Sequence, residues 1–370
     1  MKTILTHLSL LTISAAAAFA GDCYVDPATA HGSPDGSVST PYASITAALA
    51  DKSNWSDPFD SDAPNRIYLA DTAANVAPYG GIDISGCTGM DNPLAIIGWS
   101  NGGSITASLG DGSTVAAGEI DGNGTNTYIF TPTGSFLTLW GLKMHGTTNY
   151  ALSLSNGFIL NCEVYGGTSR NVNLIGSDAW NCYFHDLSTG YAHVATSGGS
   201  RVTRCRFVGS ARGIYGASGT GLTDYCVFEG QTVAGVLVLG RGQRIENCTF
   251  TDCAVGVLIG GTTSDSWSLL NCLFDNTDPA VSNPNNAPAM LLGNNSLNGA
   301  VYSGTITAAL LLDDVTDTDP AILNNPDSDT AGRIGAAQDY GEGSAAPNVQ
   351  LSVTLAPDGQ TVTATIVESE

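Results

Sequence analysis

The sequence predicts an all-β chain: a single-stranded, right-handed parallel β-helix of about eight to nine coils. A capping helix precedes the coils and a β-hairpin tail follows them. The main observation is a recurring motif: Asn161-Cys162-Glu163-Val164, Asn181-Cys182-Tyr183-Phe184, Arg204-Cys205-Arg206-Phe207, Tyr225-Cys226-Val227-Phe228, Asn247-Cys248-Thr249-Phe250 and Asn271-Cys272-Leu273-Phe274. Its cysteines stand 20, 23, 21, 22 and 24 residues apart, and Gly141-Leu142-Lys143-Met144 is an earlier copy with Leu142 in the cysteine's place. A second apolar alternation recurs once per repeat, as in Ala151-Leu152-Ser153-Leu154, Asn171-Val172-Asn173-Leu174 and Gly235-Val236-Leu237-Val238. Gly- and Asn-rich turns join these short period-2 strands, and no helical periodicity lies between them. A unit of about 22 residues suits one coil of a solenoid. A leucine-rich repeat has a similar period, but its Leu/Asn consensus is missing, and a propeller blade would need four strands.

Alternation also assigns faces. Cys162 and Val164 point inward, so the repeat cysteines should form an internal column of buried thiols. Stacking one strand spacing apart separates their Cβ atoms by more than the ~3.8 Å a relaxed disulfide prefers. Cys23 and Cys87 lie outside the repeat and are the one candidate disulfide. Leu237, Leu239, Leu258 and Leu291 should point outward, leaving apolar surface to be covered.

A solenoid needs caps at its open ends. Thr40-Pro41, read as N-cap and first helical residue, should start a short helix from Tyr42 to Ala50 with Ile45 and Leu49 on one face. Near the C-terminus, Val349 to Leu355 and Gln360 to Val367 alternate around Pro357-Asp358-Gly359, a hairpin signal. The hairpin would lie along the solenoid or pair with another molecule. Residues 1–20 read as a secretory leader: Lys2, an apolar run, then Ala18-Phe19-Ala20. The expected organisation is therefore a leader (1–20), N-terminal cap and first strands (21–94), parallel β-helix (95–300), closing segment (301–345) and hairpin tail (346–370).

Composition bounds the partners. A net charge of −22 argues against nucleic acid, whose phosphates need a basic footprint, and against an anionic membrane surface. After the leader no run of 18 apolar residues occurs, so no membrane span is expected. The leader places the chain outside the cytoplasm: secreted, at the cell surface or in a periplasm. Basic residues are scarce but grouped. Of 9 arginines, 7 fall between Arg170 and Arg244: Arg170, Arg201, Arg204, Arg206, Arg212, Arg241 and Arg244. Such a patch on an acidic body would focus an anionic ligand, unless the arginines pair locally with Asp178, Asp186, Asp224 and Glu229.

The stretch from Tyr24-Val25-Asp26 to Ala47-Ala48-Leu49, with its Asp35-Gly36-Ser37 and Thr40-Pro41-Tyr42, resembles the opening of exported bacterial right-handed β-helix proteins of the pectate-lyase-like superfold. Arg333-Ile334-Gly335-Ala336 is similar to the closing motif of such proteins. The resemblance implies fold and export; reaction does not follow from it. Many proteins of the superfold cleave acidic polysaccharides by β-elimination, which needs a base and a group that neutralises the sugar carboxylate. The paired-Asp and Gly-His-Gly motifs of polygalacturonases and the motifs of pectin methylesterases are missing from this sequence.

The candidate site comes from the outward residues of the cysteine strand. Successive coils should display Lys143/His145, Glu163/Tyr165, Tyr183/His185, Arg206/Val208 and Val227/Glu229 on one flat strip. Here Arg206 would neutralise a carboxylate, with Lys143, Tyr183 or His185 as base or acid. His145, Glu163, Tyr165, Arg204 and Glu229 would bind the chain. Glu163 with Asp186 would hold Ca²⁺ if any cofactor is used at all. The Asp-rich run from Asp313 to Asp319 lacks the glycine and terminal Glu of an EF-hand loop and reads as a solvated loop. Three functions stay open: an acidic-polysaccharide or cell-surface-glycan binder, lyase or not; a structural or adhesive surface protein; and a self-assembling protein joined through its hairpin. The strip favours the first. The missing catalytic motifs and the hairpin favour the others.

Overall fold

The computed structural model describes residues 21–55, 59, 64–85, 87, 93–99, 118–131, 134–187, 191–261, 266–293, 295–306, 308–311, 314, 348–355 and 362–369. The expected leader, the closing motif at 333–336 and all of the Asp-rich run except Asp314 lie outside these residues. The chain is a right-handed parallel β-helix of about eight turns. Three parallel sheets form its walls: a 12-stranded first sheet from Asp22–Val25 to Ala308–Leu311, a 9-stranded second from Asn75–Val76 to Leu273–Asp275, and a 9-stranded third from Gly134–Ser135 to Tyr302–Gly304. One coil crosses them in turn as Phe158–Leu160, Glu163–Tyr165 and Arg170–Ile175. The next repeats this as Asp178–Trp180, Tyr183–His185 and Ala192–Ser197, each strand in parallel register with its predecessor.

The repeat motif marks the corner between the first and second sheets. The residue before each cysteine adopts a left-handed backbone: Gly141 (φ 63°), Asn161 (50°), Asn181 (52°), Arg204 (54°), Tyr225 (51°), Asn247 (53°) and Asn271 (53°). Asn tolerates this region better than other side chains, which is why it dominates the motif. Its amide then bonds to the coil before it, Asn181 Nδ2 donating to Asn161 Oδ1 (2.7 Å) and Asn271 Nδ2 to Asn247 Oδ1 (3.2 Å).

Behind that corner the cysteines form the expected buried column, and all 9 cysteines of the chain are free thiols. Each repeat thiol donates to the carbonyl two residues earlier, as Cys162 does to Leu160 (3.2 Å) and Cys248 to Glu246 (3.1 Å). Burial pushes the thiols of Cys162, Cys205 and Cys248 up, which keeps them protonated and inert. The candidate Cys23–Cys87 disulfide is not formed. Cys23 packs beside Gly36, where an added Cβ would come within 2.8 Å of its sulfur, whereas Cys87 accepts from Lys52 Nζ at 2.9 Å.

The core's largest rings stack in one column. Phe184, Phe207, Phe228, Phe250 and Phe274 stack with neighbouring rings 4.9–5.0 Å apart and nearly parallel. Glycine opens the third-sheet strands opposite them because the rings fill that space: a Cβ on Gly235 would meet Phe250 at 2.5 Å. One coil earlier His193 occupies the equivalent slot, fully buried. It accepts from Asn171 Nδ2 at Nδ1 (3.0 Å) and donates from Nε2 to the Gly209 carbonyl (2.9 Å). Burial depresses its pKa to about 4, so this histidine is a neutral structural group.

The capping helix is shorter than expected and starts later. It spans Ile45–Ala50, and Ser44 rather than Thr40 is the N-cap, its side chain accepting from Ala47 N at 3.1 Å. Tyr42 instead bridges to the first strand, its N–H donating to Tyr24 O (3.0 Å) and its carbonyl accepting from Asp26 N (2.8 Å). Pro41, unable to donate, feeds that bridge. Ile45, Ala48 and Leu49 still close the core as the helical pattern requires. At the other end Asn348–Leu355 and Val362–Ser369 pair as an antiparallel hairpin. Of the leucines expected to face outward, Leu237 is buried, while Leu239, Leu258 and Leu291 are partly covered.

Candidate functional site

Parallel register assembles the predicted strip on the outer face of the second sheet. Glu119, Lys143, Glu163, Tyr183, Arg206 and Val227 follow one another in a single column. Beside it the rings of His145, Tyr165 and His185 stack at 4.8 and 5.0 Å, and Tyr183 lies 4.3 Å from His185. Two acids that sequence reasoning missed, Glu119 and Asp121, extend the strip by one coil. Their coil precedes the recognisable motif, so no spacing pointed to them.

Every basic side chain of the strip already faces a carboxylate. Lys143 Nζ is 3.7 Å from Glu163 Oε2, and His145 Nε2 is 2.8 Å from Glu119 Oε1. Arg206 Nη2 is 2.7 Å from Glu229 Oε2, and His185 lies between Glu163 and Asp186 at 2.9 Å on both sides. Burial opposes ionisation of Glu163, but the bonds from His185 and Lys143 win and hold its carboxyl below the usual range. Burial likewise opposes protonation of His185, yet Glu163 and Asp186 raise its pKa. Burial and nearby carboxylates push Tyr165 up to about 12, and burial raises Tyr183. The strip is thus a network of paired charges in which Glu163 and Asp186 favour the protonated form of His185 and burial favours the neutral form of the phenols.

Glu163 and Asp186, the expected Ca²⁺ pair, sit on opposite sides of the His185 ring and do not converge. Among the described residues no group of three or more His, Cys, Asp or Glu side chains gathers as a metal would need. Arg204 stands apart from the strip. It lies at the corner between the first and second sheets, its guanidinium 5.4 Å from the Trp180 ring and 5.9 Å from the Tyr225 ring.

A second cluster forms where the chain turns from the second sheet into the third. Arg170 Nη1 donates to Tyr150 OH at 2.7 Å, and its guanidinium is 5.2, 5.0 and 5.4 Å from the rings of Tyr150, Tyr191 and Tyr215. Arg212 lies 4.8 Å from the Tyr191 ring and donates to the Tyr191 carbonyl at 3.1 Å. Tyr128 stacks on Tyr150 at 5.6 Å, extending the platform by a coil. Among the described residues neither Arg170 nor Arg212 has a carboxylate partner, whereas Arg66, Arg206 and Arg244 each do. The grouping of arginines was visible in the sequence. Their meeting with these tyrosines was not, because turn lengths of this corner vary from coil to coil.

No protein-family model matches the sequence, and no curated protein is significantly similar to it. Solved structures do match in fold. An alginate lyase from a Paenibacillus species superposes with a TM-score of 0.55 at 13% identity, over 78% of this chain and 99% of that one. A pectate lyase superposes with a TM-score of 0.51 at 12% identity, over 82% of this chain and 80% of that one. At such identities the likeness is one of fold. No helix among the described residues is long and apolar enough to cross a membrane.

Proposed function

We propose that the protein is exported and binds an acidic polysaccharide at the corner formed by Tyr150, Arg170, Tyr191, Arg212 and Tyr215. The observation that carries this reading is the pair of guanidiniums without a carboxylate partner, in a chain of net charge −22. A chain of so many acids that leaves two guanidiniums without a carboxylate on one corner has a place for an outside anion. Arg binds carboxylates through its planar fork, and tyrosine rings offer faces to the C–H surface of a sugar. Two structural neighbours above 0.5 in TM-score carry the names alginate lyase and pectate lyase, and alginate and pectate are uronate chains. The leader expected at residues 1–20 would deliver the chain to such a ligand.

Affinity electrophoresis of residues 21–370 in gels containing alginate or polygalacturonate tests the reading. Retardation that weakens with salt is expected, and Arg170→Gln with Arg212→Gln should remove it. Free migration of the unaltered protein in both gels would sink the proposal.

A second reading, β-elimination on the strip, is favoured by one contact: Tyr183 lies 4.3 Å from His185 and 5.9 Å from Arg206. His185, whose protonated form Glu163 and Asp186 favour, would give its proton to the leaving oxygen. Tyr183, in its phenolate form, would take the proton beside the uronate carboxylate and return to the phenol, and Arg206 would leave Glu229 to neutralise that carboxylate. Because Tyr183 must be ionised while His185 keeps its proton, turnover should rise with pH only until His185 begins to lose its proton, and then level off. The near-ultraviolet absorbance of unsaturated products reads this directly, and a flat trace at every pH excludes it.

A further inference from the structure

The outer face of the first sheet carries a stripe that neither site uses. Trp140, Leu160 and Trp180 follow one another in register on three successive coils, and Phe158 lies in the neighbouring column between Thr138 and Asp178. Trp140, Phe158 and Trp180 are 36%, 39% and 43% exposed, whereas Trp55, Trp267 and the five stacked phenylalanines are buried. Rings this large are normally withdrawn from water, so an exposed row of them marks a contact surface.

Three features identify the occupant. The charges of this face lie beside opposite charges: Arg66 with Asp22 (2.6 Å), Arg244 with Glu246, and Asp178 in register with Arg201, whose charge favours the ionised carboxyl against burial. That leaves ring faces, not charges, as the unsatisfied groups, and an anionic chain gains nothing here. Trp140 and Trp180 are two coils apart, about 10 Å at strand spacing, which is the length of two sugars in an extended β-1,4-linked chain. Beside the upper ring, Arg204 occupies a left-handed position that four of the other coils fill with Asn, and its guanidinium lies against Trp180. Backbone strain accepted for a side chain that steadies an exposed ring fits a built surface.

We infer that this face is a second glycan site, taking an uncharged, extended pyranose chain that runs along the solenoid axis across Trp140, Phe158 and Trp180. It does not depend on the acidic-ligand corner, which lies on a different part of the wall.

Affinity electrophoresis of residues 21–370 in gels containing hydroxyethyl cellulose or glucomannan provides the test. The unaltered protein should be retarded, with no loss on adding salt. Trp140→Ala with Trp180→Ala should weaken binding at least about tenfold, with an unchanged circular-dichroism spectrum and melting midpoint. Trp140→Tyr with Trp180→Tyr, which keeps a ring at each place, should restore most of it. The Arg170→Gln, Arg212→Gln protein should bind the neutral gels normally, so failure of the acidic corner and failure of this face are separable. Free migration of the unaltered protein in both neutral gels, or equal retardation of the Trp→Ala protein, overturns the inference. So does size-exclusion chromatography showing a dimer that the Trp→Ala changes dissolve, since the occupant would then be a second copy.

Discussion

The second-sheet strip and the corner leading into the third sheet use similar residues to opposite ends. On the strip, Lys143, His145, His185 and Arg206 each meet a carboxylate within the fold. At the corner, Arg170 and Arg212 meet tyrosine rings and hydrogen-bond acceptors without charge. A matched cation holds the wall together and attracts little from outside. An unmatched one against an aromatic face keeps its attraction for an anion and loses little solvation in doing so. Richness in titratable groups is therefore a poor guide to a binding site, and the state of their partners is a better one.

The largest effect should separate the two regions by ligand affinity. Arg170→Gln with Arg212→Gln removes two charge-assisted contacts, so binding of alginate or polygalacturonate should fall by about two orders of magnitude or more. Lys143→Gln with His145→Gln should change it less than about threefold. Isothermal titration with an acidic oligosaccharide measures both. Equal losses would erase the distinction drawn between matched and unmatched cations.

Stability should show the reverse ranking. Glu163 is 8% exposed at its side chain and joins Lys143 to His185. Glu163→Gln takes the anion from Lys143 and leaves His185 with Asp186 alone, and should cost about 1–3 kcal/mol, read as a lowered denaturant midpoint. Arg170→Gln, which breaks ring contacts and one hydrogen bond, should cost about 1 kcal/mol. A larger loss at Arg170 than at Glu163 would make the corner the structural region and the strip the free one.

The strip should also give stability a pH dependence. Glu163 has a lowered folded pKa, so its contribution is present above its ordinary value of about 4.3 and fades as pH falls through the folded value. His185 has a raised folded pKa, so its contribution is full below about 6.5 and fades as pH rises through the folded value. Both act together only between those limits, where the strip should be most stabilising. His193 works the other way, because it is neutral when folded and free to protonate when unfolded, so it lowers stability as pH falls from about 6.5 towards its folded value of about 4. The strip's maximum should therefore be read as the difference between melting curves of the unaltered protein and of Glu163→Gln across pH.

Much of the architecture was legible because one motif reports three things at once. The cysteine gave the inward column, the following apolar residue gave the phenylalanine stack, and the preceding Asn gave the left-handed corner. The strip was legible for the same reason, since its residues alternate with that motif. What stayed hidden depends on loops of varying length. The corner of Tyr150, Arg170, Tyr191, Arg212 and Tyr215 draws on residues whose offsets from the motif shift between coils, so no spacing aligned them. The capping helix began at Ser44 because Tyr42 had a better partner in Tyr24, a pairing that local propensity does not reveal.

The smallest effect concerns Arg204, which the strip excludes and the first sheet's aromatic face uses. Its backbone sits at φ 54° in the column where Asn161, Asn181, Asn247 and Asn271 are at ease. Arg204→Asn should therefore relieve strain and raise stability by about 1 kcal/mol. It would also place an amide one coil beyond Asn181, where the bond between Asn181 and Asn161 would gain a further member. The same change removes the guanidinium from Trp180 and should weaken a neutral glycan while leaving alginate binding intact. A more stable protein with unaltered affinity for both would mean that Arg204 is only a tolerated irregularity of the corner. A less stable one would mean that its packing on Trp180 and Tyr225 outweighs the backbone strain.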